Sequence, residues 1–290
     1  MASLLCLVAI TAIALLPAAA AGQGGKIMRP SWAPDCSTAD NYTADSQYKR
    51  NLDQLLAALP AAAGDSGWFY ESSAGAGDDE VYGLIMCYAD YNAAACQDCL
   101  SRAPAGITTV CPGSRSVRVV YDACTLRYSD APILETTDLT YLYWVRPVVP
   151  GVTVTLTGLE AAWAPLMSKL KDGTTASPLR LANDTAPYDG KLVMYGLAQC
   201  TRDLDSTDCS RCIGRYISLL EGLFANNSGD VIKGYSCYQV GEDFGTTLPP
   251  LTPGKHIYIL TSLYCPPELV FVRRKKVGEG ESSRGVKCTA

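Results

Sequence analysis

The chain has 290 residues, 48% of them hydrophobic, a formal net charge of −5 and an isoelectric point near 5.0. This length can bury a sizeable core and favours two domains over one. The acidic balance excludes a nucleic-acid-binding surface, because such a surface needs clustered positive charge. The one basic cluster, at residues 273–276, is interpreted as a solvated extension.

The N-terminus is an almost uninterrupted apolar run that ends in small residues, which is typical of a secretory signal peptide. We predict a signal peptide over residues 1–21, with a membrane anchor as the alternative. Its removal takes away Cys6 and leaves twelve cysteines, an even number that suits an oxidised, exported protein. Three sequons also predict export and N-glycosylation, at Asn41, Asn183 and Asn226.

The first folded element is an amphipathic helix. Leucines at helical spacing predict a helix from Tyr48 to Leu59, and Pro60 is expected to end it. The patterns that follow predict strands at 68–71, 80–88, 115–121 and 125–129 and a second helix at 96–110. Helices that lie before and within a set of strands imply an α+β layer, with the helices on one face of an antiparallel sheet.

The cysteine spacing indicates that this unit occurs twice. The stretches 87–99 and 200–212 both read C-x8-C-x2-C, and each follows a similar strand-like lead. Each is followed 25 positions later by one more cysteine, Cys124 or Cys237. A shared lead, triplet and offset predict two copies of one disulfide-built module.

The second module repeats the order of elements in the first. The β-prone segment Tyr141–Val145 is interpreted as the end of module one, and the prolines and glycine of 147–151 as the linker. Helices are then predicted around 159–170 and 209–224. The apolar stretch 257–272 is too short and too interrupted to span a membrane, so no membrane span is expected in the mature chain.

A disulfide framework explains the cysteines better than a metal or redox site. Structural zinc competes with oxidation in an exported protein, and His256 is the only histidine. A thioredoxin-like motif normally lacks a third cysteine eight residues upstream.

The imperfect repeat pairs two of the cysteines. Module one contains Cys36 and Cys111, whereas module two has Phe224 at the position of Cys111 and no cysteine from 125 to 199. Two cysteines that are absent together are most simply partners, so we infer a Cys36–Cys111 bridge. The four positions present in both modules must then pair among themselves, and module two, one bridge short, is expected to be the less stable lobe.

These residues resemble a plant family, the cysteine-rich repeat secretory proteins with two ginkbilobin-2-like domains, whose signature is the C-x8-C-x2-C triplet. Related domains form the ectodomains of cysteine-rich receptor-like kinases and plasmodesmata-located proteins. The resemblance implies a secreted, apoplastic protein with an α+β fold of two tandem modules, each with two helices packed on an antiparallel sheet of about five strands. The expected domains are 27–145 and 146–250, followed by an atypical tail at 251–290.

The resemblance also implies how the shared cysteines pair. Its bridges are Cys36–Cys111, Cys87–Cys96, Cys99–Cys124, Cys200–Cys209 and Cys212–Cys237. Cys265 and Cys288 fall outside the pattern and are assigned to each other by elimination. Each bridge is expected to contribute about 2 to 4 kcal/mol by restricting the unfolded chain.

Non-enzymatic binding, in defence against fungi or in stress responses, is the function that the resemblance implies. Ginkbilobin binds mannose through an Asn directly after the first cysteine, an Arg six residues before the last cysteine and a Glu five residues after it. The corresponding positions are Ser37, Arg118 and Ser129 in module one and Val231 and Glu242 in module two. Sugar sites need several converging polar groups, so Ser37, Arg118, Ser129 and Glu242 are the candidates for binding a mannose-type glycan or cell-wall polysaccharide.

The alternative is a protein–protein interaction or signalling module that contacts an apoplastic protein or a receptor. An enzyme is not expected, because the lone His256 lies in the atypical tail and no Gly-rich phosphate loop or G-x-S-x-G elbow is present. No cofactor or metal is expected either. The acidic pairs Asp78–Asp79 and Asp203 with Asp205 are interpreted as solvated turns.

Overall fold

A computed structural model describes the protein over residues 28–31, 33–37, 41–133, 138–147, 156–188, 192–221 and 227–244. The first lobe consists of β1 (Asp35–Cys36), α1 (Gln47–Asp65), β2 (Phe69–Ala74), a 3-10 turn (Gly77–Asp79), β3 (Val81–Cys87), α2 (Ala93–Val110), β4 (Val117–Val120) and β5 (Cys124–Ser129). The second consists of β6 (Tyr141–Pro147), α3 (Leu156–Ala176), β7 (Leu181–Tyr188), β8 (Leu192–Cys200), α4 (Ser206–Glu221), β9 (Asn227–Gly234) and β10 (Cys237–Phe244).

The two sheets have the same wiring. The first has the strand order β1-β4-β5-β3-β2 and the second the order β6-β9-β10-β8-β7, with antiparallel pairing throughout. Each lobe therefore follows the sequence strand, helix, two strands, helix, two strands. The prediction of two related α+β modules, each with two helices on a five-stranded sheet, is confirmed.

One predicted boundary is wrong. Residues 141–145, interpreted as the end of module one, belong to β6, which is the edge strand of the second sheet and pairs with β9. The strand occupies the same place as β1 in the first sheet, because each of them opens its lobe and pairs with the fourth strand of that lobe.

Ser46 is the N-cap of helix α1, and its hydroxyl accepts a hydrogen bond from the Lys49 backbone N at 3.2 Å. The prediction that Pro60 ends this helix is wrong, since the helix continues to Asp65. Proline inside a helix costs about 3 kcal/mol. Burial of Leu59 and Ala63, on either side of Pro60, holds the last turn against the sheet and offsets that cost.

Alternate residues of the sheets pack in opposite directions. On β3 and β8, Ile85 and Ala198 pack with the helices of their own lobes, whereas their neighbours Met86 and Leu197 pack into a third cluster shared by both lobes. The sheets therefore meet through the faces that their helices leave open. The result is four layers in the order helices, sheet, sheet, helices.

Within the described residues, five disulfides join elements of these layers. They are Cys36–Cys111, Cys87–Cys96, Cys99–Cys124, Cys200–Cys209 and Cys212–Cys237, the pairs that the resemblance implied. In each lobe, the start of the second helix is tied to the two central strands of the sheet. Cys265 and Cys288 lie outside the described residues, so their pairing stays a prediction.

Candidate functional site

The candidate sugar residues of the first lobe lie at one end of three neighbouring strands. Cys36 is in register with Val117, and Val117 with Tyr128, so Ser37 and Ser129 each follow at the same end of the sheet. Arg118, on the antiparallel strand β4, is in register with Asp35 and Arg127, which lie two residues before Ser37 and Ser129. The fold thus brings the three positions together.

The polar groups of the two serines, however, form hydrogen bonds within the first lobe. The Ser37 hydroxyl accepts a hydrogen bond from the Ser116 backbone N at 3.1 Å, and the Ser37 carbonyl accepts one from the Ser114 hydroxyl at 2.9 Å. The Ser129 hydroxyl accepts a hydrogen bond from the Ala131 backbone N at 3.1 Å. The two serines hold strand ends in place.

The Arg118 guanidinium is engaged from three sides. It forms ion pairs with Asp35 on β1 and with Asp138 in the segment that leads to the second lobe, and it lies 5.0 Å from the ring centroid of Tyr235. Burial lowers the pKa of Arg118, but the two carboxylates outweigh this effect, so its pKa is raised. Arg118 therefore connects the first lobe to the linker and the second lobe, and its guanidinium is already engaged by groups of the protein.

The remaining candidates are dispersed. Glu242 lies on β10, in register with Tyr195 and Gly229, and so belongs to the other lobe. Asn41 is exposed, whereas Asn183 is partly buried in β7. Asn226 lies outside the described residues.

Sequence reasoning missed the face between the two lobes. The eight residues between the first two cysteines of each motif begin as a loop at this face and end in the first turn of the following helix, and the disulfides Cys87–Cys96 and Cys200–Cys209 close the two stretches. Gln199 precedes the second loop; its side-chain carbonyl accepts from the Ala89 backbone N at 3.0 Å, and its amide donates to the Cys87 carbonyl at 3.1 Å.

Arg202, in the same loop, caps a helix of the other lobe. Its guanidinium donates to the Ser66 carbonyl at 2.9 Å and to the Gly67 carbonyl at 2.6 Å, at the C-terminus of α1. A cation there satisfies carbonyls that have no partner within the helix and complements the helix dipole. Burial lowers the pKa of Arg202.

Each lobe contributes one aspartate that contacts the other lobe. Asp203 forms an ion pair with Arg127 on β5, and the two side chains are 3% and 7% exposed. Asp90, at the equivalent position of the first motif, accepts a hydrogen bond from the Tyr238 hydroxyl on β10. The interpretation of Asp203 as part of a solvated turn is wrong, because docking buries it. The signal in the sequence was an aspartate three residues after the first cysteine of both triplets.

Two open clefts, of about 520 and 540 Å³, also lie on the described surface. One lies between the N-terminal segment 29–34 and the end of α2, and the other between α3 and the start of α4. Neither cleft includes Ser37, Arg118 or Ser129. Within the described ranges, no helix is both long and apolar enough to cross a membrane.

The sequence matches a family model described as salt stress response/antifungal over residues 35–131 and 157–241, more than half of the chain. An antimicrobial ginkbilobin-2-like protein of Castanea crenata is 31% identical over 205 residues, which cover 70% of this chain and 83% of the relative. Cysteine-rich repeat secretory protein 38 of Arabidopsis thaliana is 31% identical over 207 residues, covering 70% of this chain and 80% of the relative.

Receptor-like proteins are among the more distant relatives. Cysteine-rich receptor-like protein kinase 26 of Arabidopsis thaliana is 24% identical over 208 residues, and the match covers 68% of this chain but 30% of the kinase. Two solved tandem DUF26 ectodomains, from the Arabidopsis thaliana cysteine-rich receptor-like proteins PDLP8 and PDLP5, each align with a TM-score of 0.58 at 20% and 22% identity. The alignments cover 75% and 74% of this chain and 98% and 99% of those chains, and they show the same fold.

Proposed function

Because this chain belongs to the salt stress response/antifungal family, with two DUF26 domains in tandem, we propose that it is a secreted, non-enzymatic recognition protein of the plant apoplast whose partner is another protein, such as a receptor ectodomain. The observation that carries this proposal is the docking of the two lobes, which makes one rigid body of them. Rigid surfaces bind with a small loss of conformational freedom.

The polar contacts at the face between the two lobes support one fixed orientation of the lobes. Breaking a buried ion pair such as Arg127–Asp203 leaves an uncompensated charge and costs about 3 to 5 kcal/mol. The Gln199 bonds and the Arg202 cap add directional contacts to the shared apolar cluster. A partner therefore meets both lobes in one geometry.

The outer surface suits a partner that associates reversibly. Among the described residues, Leu179 is the one large hydrophobic side chain classed as exposed, at 44%. Obligate interfaces are more apolar than the remaining surface, whereas transient ones resemble it. Receptor-like relatives also agree with a protein partner.

The direct test is pairwise binding of the mature chain to a panel of purified plant receptor-like ectodomains, measured by surface plasmon resonance. We expect saturable binding to at least one ectodomain. Asp203→Ala should weaken this binding by disturbing the lobe geometry, and Arg102→Ala, which removes an exposed helix-surface pair with Asp98, is the matched control. Absence of ectodomain binding together with a saturable glycan signal would overturn the proposal.

A second candidate, binding of a mannose-type glycan or a cell-wall polysaccharide, has one observation in its favour: Ser37, Arg118 and Ser129 lie at one end of the sheet. The test compares wild type, Arg118→Ala and Asp138→Ala on mannan. A sugar site on Arg118 predicts loss of binding in Arg118→Ala and gain in Asp138→Ala, because the latter releases one guanidinium edge. Equal signals from all three proteins would exclude this site.

A further inference from the structure

The face between the two lobes encloses a lysine. Lys233 lies on β9, in the second lobe, and is 1% exposed. Its ammonium donates hydrogen bonds to the Asp122 backbone carbonyl and, at 3.3 Å, to the Tyr91 hydroxyl. Both partners belong to the first lobe, so these surroundings of Lys233 exist only while the lobes are docked.

Tyrosine rings from both lobes line the same space. The Lys233 Nζ lies 4.6, 4.9 and 5.3 Å from the ring centroids of Tyr88, Tyr91 and Tyr238. Cation–π attraction at such distances stabilises the charged amine and makes its enclosure tolerable. In the described part of the chain, the charged groups that act on the amine are Asp90, from the loop after β3, and Asp122, from the β4–β5 turn.

The enclosure changes the affinity of Lys233 for its proton. Burial lowers the pKa of Lys233 from 10.5 to about 8, although Asp90 and Asp122 oppose the shift. When the lobes separate, water reaches the amine and its pKa returns towards 10.5. The separated state therefore binds the proton more tightly than the docked state does.

We propose that Lys233 makes the docking of the two lobes dependent on pH, with docking strengthened as the amine loses its proton. Between about pH 8 and pH 10.5 the separated state holds more protons, so the docked state gains stability as the pH rises through this window. Below pH 7 the amine is protonated in both states and the effect is constant. Above pH 10 an opposing effect begins, because Tyr88, whose pKa burial raises, ionises more readily once exposed.

The proton on Lys233 can be followed directly. The mature chain with ¹³C-labelled lysine is titrated by NMR, and the Lys233 signal is assigned by its absence in Lys233→Met. We expect a midpoint near pH 8 for Lys233, and Tyr91→Ala, which opens the enclosure from the first lobe, should move it upward. Lys169→Met, at an exposed pair with Asp184, is the control and should leave it unchanged.

The coupling to stability is measured by urea unfolding of the same proteins at pH 7 and pH 9. The ratio of folded to unfolded protein in the wild type should rise about tenfold relative to Lys233→Met, from the two pKa values above. A Lys233 midpoint above pH 10, or the same pH dependence in both proteins, would overturn the proposal. Should Lys233→Met not fold, Lys233→Arg supplies the NMR assignment, and an unchanged midpoint in Tyr91→Ala would equally refute it.

Discussion

The two lobes share one topology but hold their edge strands differently. Strand β1 has two residues, and the Cys36–Cys111 disulfide ties it to the end of α2. Strand β6 has seven residues and pairs with β9 along its length, with Val145 at the place that Cys36 holds in β1. A covalent tie and a longer hydrogen-bonded ladder are two ways to secure the same element. The missing bridge alone therefore does not decide which lobe is weaker.

Removal of the Cys36–Cys111 disulfide should have the largest effect on the free energy of unfolding. Cys36→Ser combined with Cys111→Ser opens a loop of 75 residues, and the chain-entropy relation assigns it a loss of about 4.5 kcal/mol. Cys200→Ser with Cys209→Ser opens a loop of 9 and should cost about 2.6 kcal/mol. Urea unfolding of both double variants makes the comparison. Equal losses would show that strand β1 does not depend on its bridge as we describe.

The next effect tests the reciprocal aspartates. Asp203→Ala leaves Arg127 buried without its carboxylate and should lower the free energy of unfolding by about 3 kcal/mol. Asp90→Ala removes a hydrogen bond from Tyr238 and should cost about 1 to 2 kcal/mol. The double variant Arg127→Ala with Asp203→Ala should lose less than the sum of the single variants. Strict additivity would mean that the two groups do not interact.

A smaller effect compares equivalent glycines on the central strands. A Cβ at Gly196 would lie 2.5 Å from Leu170 Cδ1, and one at Gly83 would lie 2.9 Å from Leu55 Cδ2. Overpacking typically costs about 1 to 3 kcal/mol, so Gly196→Ala should destabilise more than Gly83→Ala. Thermal unfolding of the two variants, side by side, checks the order. The reverse order would mean that the second lobe adapts to added volume more easily.

The smallest expected effect concerns glycans. Asn41 is exposed on a loop of the first lobe, whereas Asn183 is partly buried in β7 of the second. Asn41→Gln should lower the intact mass by one glycan and change the free energy of unfolding by less than about 0.5 kcal/mol. Asn183→Gln is the comparison. An unchanged mass in Asn41→Gln would show that this sequon is not used.

Much of the fold could be predicted because the same cysteine spacing occurs in both modules and indicates equivalent elements in each. Helix α1 has leucines at regular spacing, and the two triplets fix equivalent strands and helices. The sequence predicts strand β6 but not its lobe, because a β-prone segment carries no information about which sheet it joins. Local preference predicts a helix end at Pro60, but it contains no information about the burial of Leu59 and Ala63, which keeps the helix going.

The residues of the candidate site could be named from the sequence, but their environment could not be predicted. The resemblance implies Ser37, Arg118 and Ser129 as candidates, yet Asp138, which binds Arg118, lies 20 residues further along the chain. Long-range polar contacts of this kind leave no periodic pattern. The same reason explains why Asp203 looked like part of a solvated turn.

The Arg202 cap has a consequence for biosynthesis. Ser66 and Arg202 are 136 residues apart, and translation at about 5 to 20 residues per second separates their synthesis by about 7 to 27 seconds. Throughout that interval the first lobe lacks the guanidinium that caps α1, and the sheet face that packs into the shared apolar cluster is uncovered. The earlier half of the polypeptide therefore reaches its final structure only after the later half has been made, because the later half supplies both the helix cap and the apolar cover.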